Sequence, residues 1–250
     1  MNRIVIITGA NNGIGLAMTQ SLLEWGERVA ALGLSLENID PGYPNLIARV
    51  CDVTDLARVQ SVVEEVVREW GGVDVLVNNA CLALYKPVVH RTIEEIRREL
   101  EVNYFGYLNT IAAVLPVMRR QKRGVIHNIS SGIGYTGMPG MTGYTSAKGA
   151  IESLTRTLAL ELAEEGIAVN IMHPPLTRTK SASGFGVPAE MMADPAKVGR
   201  GLARKIGSTR PFITPDFISA LGTFGNQHFP LAMGRFLTRM AKRARSQQKE

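Results

Sequence analysis

Residues 8–15 read Thr8-Gly9-Ala10-Asn11-Asn12-Gly13-Ile14-Gly15, between a short apolar run at 4–7 and a segment of helical period at 16–25. Glycine permits a tight turn and a close approach of the backbone to a pyrophosphate, and the N-terminus of the following helix offers free N–H groups to an anion. A tight turn after a strand would also explain glycines alone. Their place between the first strand and the first helix favours a dinucleotide-binding turn.

The rest of the chain alternates short β-branched runs with longer segments of helical period. The predicted strands are residues 4–7, 29–32, 46–50, 73–77, 125–129 and 167–172. The predicted helices are residues 16–25, 55–70, 93–120 and 144–165. Such alternation, with strands that are apolar throughout, indicates a parallel sheet covered on both faces. We therefore expect an α/β fold, a doubly wound parallel sheet in three α/β/α layers, with residues 1–250 in a single domain.

Composition excludes several classes of protein. Of the 250 residues, 45% are hydrophobic and 20% are charged, which is enough to bury a sizeable core. The apolar runs fall short of the roughly 18 residues of a membrane span, and the start of the chain is too short for a signal peptide, so we expect a cytoplasmic protein. Two cysteines and four scattered histidines predict no metal site.

The net charge of +6 is concentrated in residues 235–250, so the rest of the chain is close to neutral and no nucleic-acid partner is expected. On a helix, Phe236, Leu237, Met240 and Ala244 would form an apolar stripe among basic residues. This segment is predicted to be a basic C-terminal helix or tail. It either docks on the domain through that stripe or makes weak contact with an anionic membrane surface.

Between 179 and 196 the helical period fails and glycine and proline cluster. A long irregular segment in an α/β enzyme is often a lid, and we expect residues 179–210 to cover the substrate. The aromatic and methionine residues in and after this segment would suit a lipophilic substrate, such as a fatty-acyl, steroid-like or terpenoid ketone. They are Phe185, Met191, Met192, Phe212, Phe217, Phe224 and Phe229.

Tyr144 and Lys148 are four residues apart at the start of a predicted helix and so share one face. An ammonium beside a phenol favours the phenolate and would move its pKa toward working pH. Tyr144 is therefore a candidate general acid/base. Ser130 and Ser131 follow the predicted strand 125–129, at the carboxyl edge where open α/β sheets bind ligands, and a hydroxyl there could hold a substrate oxygen.

Several motifs occur together in one order and spacing. They are Thr8 to Gly15, Asp52-Val53, Asn78-Asn79-Ala80, Asn103, Ser131, Tyr144 and Lys148. In this the sequence resembles the single-domain short-chain dehydrogenases/reductases from residue 3 to about 180, a family with the Rossmann fold and NAD(P) as cofactor. The resemblance implies an enzyme that interconverts an alcohol and a ketone or aldehyde by hydride transfer.

The resemblance also assigns roles. Tyr144 would be the acid/base, Ser131 would orient the carbonyl or hydroxyl, Lys148 would bind the nicotinamide ribose and lower the tyrosine pKa, and Asn103 would hold a water of the proton relay. Asp52 and Val53 would meet the adenine, and Asn79 and Ala80 the region of the adenosine ribose. The remaining cofactor-binding candidates are Gly9, Asn12, Gly13, Ile14, Gly15, Pro174, Thr177 and Thr179. On their own, Asn103 could be a helix cap and Asp52 a turn residue.

Three positions depart from the family pattern. Cys81 stands where the family has glycine, and we expect it to be a small buried residue rather than a nucleophile. Pro175 replaces the glycine after the sixth strand, which removes an N–H near the nicotinamide carboxamide. The family's last strand is missing, and residues 210–215 would supply a shorter one. Many relatives form tetramers through that strand, so we expect a homo-oligomer that is a dimer rather than a tetramer.

At the end of the second strand, where an NAD enzyme usually has an acidic residue, the chain has Gly33-Leu34-Ser35. No carboxylate repels a 2′-phosphate and no basic residue binds one, so NAD and NADP both stay open. The expected partner is a small alcohol or carbonyl substrate. Two other functions stay open: a non-catalytic dinucleotide-sensing or scaffolding protein, and a nucleotide-sugar epimerase or dehydratase of the same fold.

Overall fold

The computed structural model describes residues 2–185 and 187–247, without the side chains of residues 243–247. The strands are β1 (Ile4–Thr8), β2 (Arg28–Gly33), β3 (Leu46–Val50), β4 (Val75–Asn78), β5 (Gly124–Ile129), β6 (Ile167–Met172) and β7 (Phe212–Ile213). The helices are α1 (Gly13–Glu24), α2 (Leu56–Trp70), α3 (Ile93–Leu100), α4 (Gly106–Gln121), α5 (Ile133–Thr136), α6 (Thr142–Glu161), α7 (Pro195–Ala203), α8 (Phe217–His228) and α9 (Pro230–Gln247).

The seven strands form one parallel sheet in the order β3-β2-β1-β4-β5-β6-β7. Strand β1 lies inside the sheet, where Ile6 pairs with Ala30 of β2 on one side and Leu76 of β4 on the other. Strands β2 and β3 therefore lie on one side of β1 and strands β4 to β7 on the other, so the strand order reverses at the junction of β1 and β4. Ligands of open α/β sheets bind at such a switch point, beyond the carboxyl ends of the strands.

Strand β1 shows why the predicted strands are apolar throughout. Ile4 and Ile6 point into a core formed with α2 and α4, and Val5 and Ile7 point into a second core formed with α1 and α7. Successive side chains of a strand face opposite sides of the sheet, so a sheet with helices on both faces buries them all. The predicted three-layer α/β/α Rossmann fold is confirmed.

The helix predicted over residues 93–120 is helical throughout but not uniform. A five-residue π-helical segment, Glu101–Phe105, separates α3 from α4 and contains the buried residue Asn103. π-Bulges are uncommon and often occur at functional sites. The alternative that Asn103 caps a following helix is therefore wrong, since helix continues on both sides of it.

The segment expected to be a lid divides into two parts. Residues 180–191 contain two short 3₁₀ helices, Lys180–Phe185 and Ala189–Met191. Helix α7 follows, and its Val198 and Leu202 are buried in the core against α1. Thr179, Phe185 and Met191 of the first part line the cavity at the sheet edge, while α7 belongs to the packed layer.

The C-terminal region contains the short strand expected near residues 210–215, because β7 pairs in parallel with β6 through Ile171 and Phe212. In α9, Leu237 packs against the cluster that includes Ile133 and Met141, as a docked helix should. Phe236 is exposed. The side chains of Arg243, Ala244 and Arg245, and residues 248–250, lie outside the described part of the chain.

A buried ion pair fixes the loop after β4. Arg91 and Glu99 form a salt bridge in which both side chains are fully buried. Glu99 also accepts a hydrogen bond from the Leu84 N–H at 2.9 Å, and Arg91 donates to the Leu84 carbonyl at 2.9 Å. Glu99 lies against Gly143, next to Tyr144, where an added Cβ would come within 2.2 Å of its Oε2. The pair therefore connects α3, this loop and the start of α6.

We expect Glu99→Ala to lower the free energy of unfolding by about 3–5 kcal/mol, because it leaves the Arg91 guanidinium buried without its partner. Urea denaturation measures the change. Lys86→Ala is the control, since it breaks the half-exposed Lys86–Glu95 pair, and it should cost less than about 1 kcal/mol. Equal losses in the two variants would contradict a structural role for the buried pair.

Candidate active site

The glycine turn is built for close backbone approach. Gly9 has a φ of +62° and Gly13 a φ of +53°, values that side-chain-bearing residues rarely adopt. A Cβ at Gly9 would also lie 2.8 Å from the Ala80 Cα. Asn12 precedes α1 but makes no side-chain hydrogen bond to it, so the first N–H groups of α1 lie open to an anion.

Two residues that follow β4 hold this turn in place. The Thr8 hydroxyl accepts hydrogen bonds from the N–H groups of Asn79 and Ala80, both at 3.0 Å. The Asn79 amide donates to the carbonyls of Thr8 and Gly9 at 3.0 and 3.1 Å. Asn79 thus has a structural function in the turn that the sequence did not indicate.

One continuous cavity of about 1310 Å³ runs along the carboxyl edge of the sheet. Its size exceeds the range of about 300–1000 Å³ that is usual for one small ligand, so it has room for a long cofactor and a substrate. The predicted site residues that line it are Gly9, Asn12, Gly13, Ile14, Asp52, Val53, Asn79, Ala80, Ser131, Tyr144, Lys148, Pro174, Thr177 and Thr179. Gly15 and Asn103 lie behind its wall.

Gly15 and Asn103 support that wall. A Cβ at Gly15 would lie 2.2 Å from the Gly9 carbonyl oxygen, so Gly15 allows α1 to pack against the turn. The Asn103 amide accepts from the Leu82 N–H at 2.8 Å and donates to the Leu82 carbonyl at 2.7 Å. This pair of bonds fixes the segment after Ala80, which borders the cavity.

Asp52 is a turn residue, as one of the two interpretations of the sequence predicted. It lines the cavity, and its Oδ1 accepts hydrogen bonds from the Thr54 N–H and hydroxyl, both at 2.9 Å. It is therefore a turn residue that also borders the cavity. Gly33, Leu34 and Ser35 border the cavity as well.

Lys148 lies inside the protein. Its side chain is buried, and its Nζ donates to the Ile129 carbonyl at 2.7 Å and to the Tyr107 hydroxyl at 3.1 Å. Burial disfavours the charged ammonium and lowers the pKa of Lys148 to about 8. The lysine therefore changes charge within the range in which enzymes work.

Tyr144 lies beside this lysine and Ser131. The Lys148 Nζ is 5.6 Å from the centre of the Tyr144 ring. Burial raises the pKa of Tyr144 above its usual value, and the hydrogen bond with Ser131 opposes that rise. The prediction of a lowered tyrosine pKa is therefore wrong for this conformation, since burial dominates and the lysine nitrogen bonds to Ile129 and Tyr107. A phenol that keeps its proton is suited to act as an acid.

Tyr107 is the residue at this site that the sequence did not indicate. It is fully buried, and its hydroxyl donates to the Ile129 carbonyl at 3.1 Å while accepting from Lys148. It follows Asn103 by four residues, yet no motif includes it. Only the meeting of α4 with the end of β5 reveals its contact with the lysine.

Two further expectations need correction. Cys81 is exposed rather than buried, with its Sγ 3.8 Å from the Ser181 hydroxyl. Phe217, Phe224 and Phe229 are exposed and do not line the cavity, although they were expected to favour a lipophilic substrate. Phe185 and Met191 do line it. The exposure of Cys81 and the outward direction of the later phenylalanines depend on tertiary structure, so the sequence pattern could not predict them.

The geometry fits a dinucleotide. An uncapped helix N-terminus, two glycines of positive φ and a cavity that continues to a tyrosine and a lysine are the parts that bind and use such a cofactor. Together with the fold they define a dehydrogenase or reductase of the NAD(P)-dependent class.

Comparison with known proteins gives the family. The sequence matches the short chain dehydrogenase family over residues 3–186. The chain therefore belongs to the short-chain dehydrogenases/reductases, and it is an oxidoreductase that acts on CH–OH and C=O groups with NAD or NADP.

Individual relatives differ in their named substrates. The chain is 37% identical over 184 residues to the 3-oxoacyl-[acyl-carrier-protein] reductase FabG of Thermotoga maritima, which covers 71% of this chain and 75% of that protein. It is 28% identical over 240 residues to a 3alpha-hydroxysteroid dehydrogenase of Mediterraneibacter gnavus, at 88% and 96% coverage. A solved short-chain dehydrogenase from Streptomyces avermitilis is similar with a TM-score of 0.79 and 28% identity, covering 98% of this chain and 99% of that one.

We expect Tyr144→Phe to reduce turnover by about a hundredfold or more, because it removes the proton without changing the shape of the site. Dinucleotide affinity, measured by fluorescence titration, should stay near that of the wild type. Tyr43→Phe, a change distant from the cavity, is the control and should keep normal turnover. Substantial activity in Tyr144→Phe would assign the acid/base elsewhere.

A negative charge introduced at residue 33 tests whether this position affects the preference between NADH and NADPH. A Cβ at Gly33 would lie 2.6 Å from the Asn11 Oδ1 and 2.8 Å from its Cγ, so Asn11→Ala, which removes both atoms, is introduced first to make room. In that background, Gly33→Asp should lower the NADPH-to-NADH ratio of kcat/KM by about tenfold or more, because a carboxylate repels a 2′-phosphate. Gly33→Asn is the control of equal shape. The same change of ratio with aspartate and asparagine would show that charge at residue 33 is not what the cofactor senses.

Proposed function

We propose that this protein interconverts a lipophilic ketone and the corresponding secondary alcohol. The observation that carries the proposal is the lining of the cavity beyond Tyr144, which is mostly apolar. The side chains there include Ile133, Met138, Phe185, Val187, Met191, Met233, Leu237 and Met240. An apolar chain or ring bound among them would be removed from water, which favours binding by about 0.8 kcal/mol for each methylene buried.

The relatives support this choice of substrate class. Two proteins similar to this chain are named for an acyl substrate and for a steroid. Both names combine a carbonyl or hydroxyl group with a large apolar body. The apolar lining described above provides a physical reason for the same preference here.

The residues of the cavity would bind the cofactor along its length. The turn at Gly9 to Gly13 and the N-terminus of α1 would hold the pyrophosphate, and Asp52 and Val53 the adenine. Asn79 and Ala80 would border the adenosine ribose, Lys148 would bind the nicotinamide ribose, and the segment 174–179 would meet the carboxamide. The bound dinucleotide supplies or accepts a hydride at the substrate carbon.

The proton chemistry belongs to Tyr144. In reduction its phenol donates a proton to the carbonyl oxygen, while Ser131 donates a hydrogen bond to the same oxygen and stabilises the negative charge that develops there. The ammonium of Lys148 then favours the phenolate electrostatically, and a water held near Asn103 would return the proton from solvent. Oxidation uses the same groups in reverse.

We also propose that the protein is a homodimer rather than a tetramer. The family is commonly oligomeric. The last strand of the sheet, β7, has only two residues and is followed by α8 and α9. The longer final strand through which many relatives form tetramers is replaced by these elements.

A series of 2-alkanones tests the substrate class. With NADH and NADPH in parallel, kcat/KM should rise about fourfold for each added methylene until the cavity is full, which corresponds to about 0.8 kcal/mol per methylene. Met191→Ser, a change in the lining, should flatten the rise, while Val89→Ser, an exposed apolar residue outside the cavity, should not. A kcat/KM that is constant or falls with chain length would contradict a lipophilic substrate.

A further inference from the structure

Helix α8 has a mainly polar side over the cavity and an apolar side in solvent. Ser219, Gly222, Thr223 and Asn226 line the cavity, and Ile218 borders it beside them. The opposite side presents Phe217, Leu221 and Phe224, which are 82%, 63% and 53% exposed. A helix on the surface of a soluble domain has the reverse arrangement, with its apolar stripe toward the core. We call these three residues the outer face of α8.

Hydrogen bonds to the body of the protein fix this orientation. The Gln227 side chain donates to the Tyr135 hydroxyl at 2.9 Å, and Tyr135 donates in turn to the carboxylate of Glu152, which is buried. On the inner side Asn226 packs so closely on Gly132 that an added Cβ there would lie 2.1 Å from its Nδ2. Helix α8 therefore cannot rotate its outer face inward without breaking these contacts.

The apolar surface continues from α8 into α9. The two helices pack on each other as a hairpin. Phe229 lies at the connection, and Leu231 and Phe236 follow on α9, all three exposed. Exposed apolar side chains concentrated on two helices that pack together mark a site that binds another molecule or a membrane.

Basic residues accompany this surface. Helix α8 has no charged residue, and the α9 sequence contains five basic residues and no acidic one. Three of the basic residues, Arg235, Arg239 and Lys242, line a cleft of about 440 Å³ together with Gly137 and Thr238. The exposed Leu231 lines the same cleft, so positive charge and hydrogen-bond donors lie beside an apolar side chain, as the boundary of an anionic bilayer requires.

We propose that the α8–α9 hairpin docks on an anionic lipid surface, with the outer face of α8 in the acyl boundary and Arg235, Arg239 and Lys242 at the phosphate groups. Among the described residues no helix is long and apolar enough to cross a membrane, so the contact is interfacial. The docked hairpin places the cavity one helix away from the lipid. The proposal concerns binding and does not depend on which substrate the enzyme turns over.

Charge distinguishes this occupant from a second copy of the chain. In a two-fold contact the same patch meets itself. Each set of Arg235, Arg239 and Lys242 would then face a segment, residues 217–247, that contains no aspartate or glutamate. A bilayer with anionic headgroups supplies the negative charge that a second copy of this face lacks.

Flotation with vesicles of phosphatidylcholine, with and without 30% phosphatidylglycerol, tests the docking of the full-length protein at low and high salt. We expect binding to the anionic vesicles that high salt weakens at least tenfold. The triple variant Phe217→Ser, Leu221→Ser and Phe224→Ser should bind at least tenfold more weakly, and so should Arg235→Gln with Arg239→Gln and Lys242→Gln. Leu160→Ser, which changes a residue 82% exposed on α6, is the matched control and should bind as the wild type does.

The oligomeric state of each variant is measured by light scattering in the same buffers. An unchanged oligomeric state in the serine variant, together with lost flotation, is the expected result. Absence of wild-type binding to anionic vesicles would overturn the proposal, as would equal flotation of the serine variant. If the wild type does not float and the serine variant dissociates to smaller species, the outer face belongs to a second copy and the proposal is wrong. Turnover of a water-soluble ketone serves as a separate readout of the active site.

Discussion

The burial of one ammonium group organises the active site. Lys148 reaches the end of β5 from α6, and the Ile129 carbonyl and the Tyr107 hydroxyl are the groups that hold its nitrogen. A charge in this position is unfavourable unless hydrogen bonds satisfy it, which is why strand, helix and tyrosine converge on it. Burial also raises the pKa of Tyr144 and so keeps the proton on its phenol. The site therefore places an ammonium that loses its proton easily beside a phenol that holds its proton. The charges of Tyr144 and Lys148 therefore depend on their surroundings, and a substrate oxygen bound beside them would change both.

The fold delivers these groups to one edge. Parallel strands end together, so the turn after β1, the loop after β4 and the serines after β5 meet at the same side of the sheet. Asn79 adds a direct connection, since its amide bonds to the backbone of the glycine turn. The glycine turn and the side chains of Ser131, Tyr144 and Lys148 therefore lie along one edge of the sheet, where Thr179, Phe185 and Asn226 also line the cavity.

Periodicity predicted the sheet closely, and motif spacing predicted the residues that line the cavity. The bounds of β3 and β6 agree with the sequence, because an apolar strand between turn residues has little freedom of register. Other features depend on tertiary contacts that no local pattern contains. Tyr107 belongs to no motif, and the rise in the Tyr144 pKa follows from burial. Periodicity could show that Phe217, Leu221 and Phe224 share a face of a helix, but not that this face points away from the protein.

The central claim is that burial, rather than a neighbouring charge, sets the protonation of the catalytic pair. NMR titration of protein labelled with ¹³C at the lysine ε carbon measures it directly, with the Lys148 signal assigned by its loss in Lys148→Arg. We expect this lysine to titrate near pH 8, charged below that value and neutral above it, and so well below the pKa of about 10.4 of a free lysine side chain. A Lys148 signal that titrates together with the exposed lysines would contradict the account.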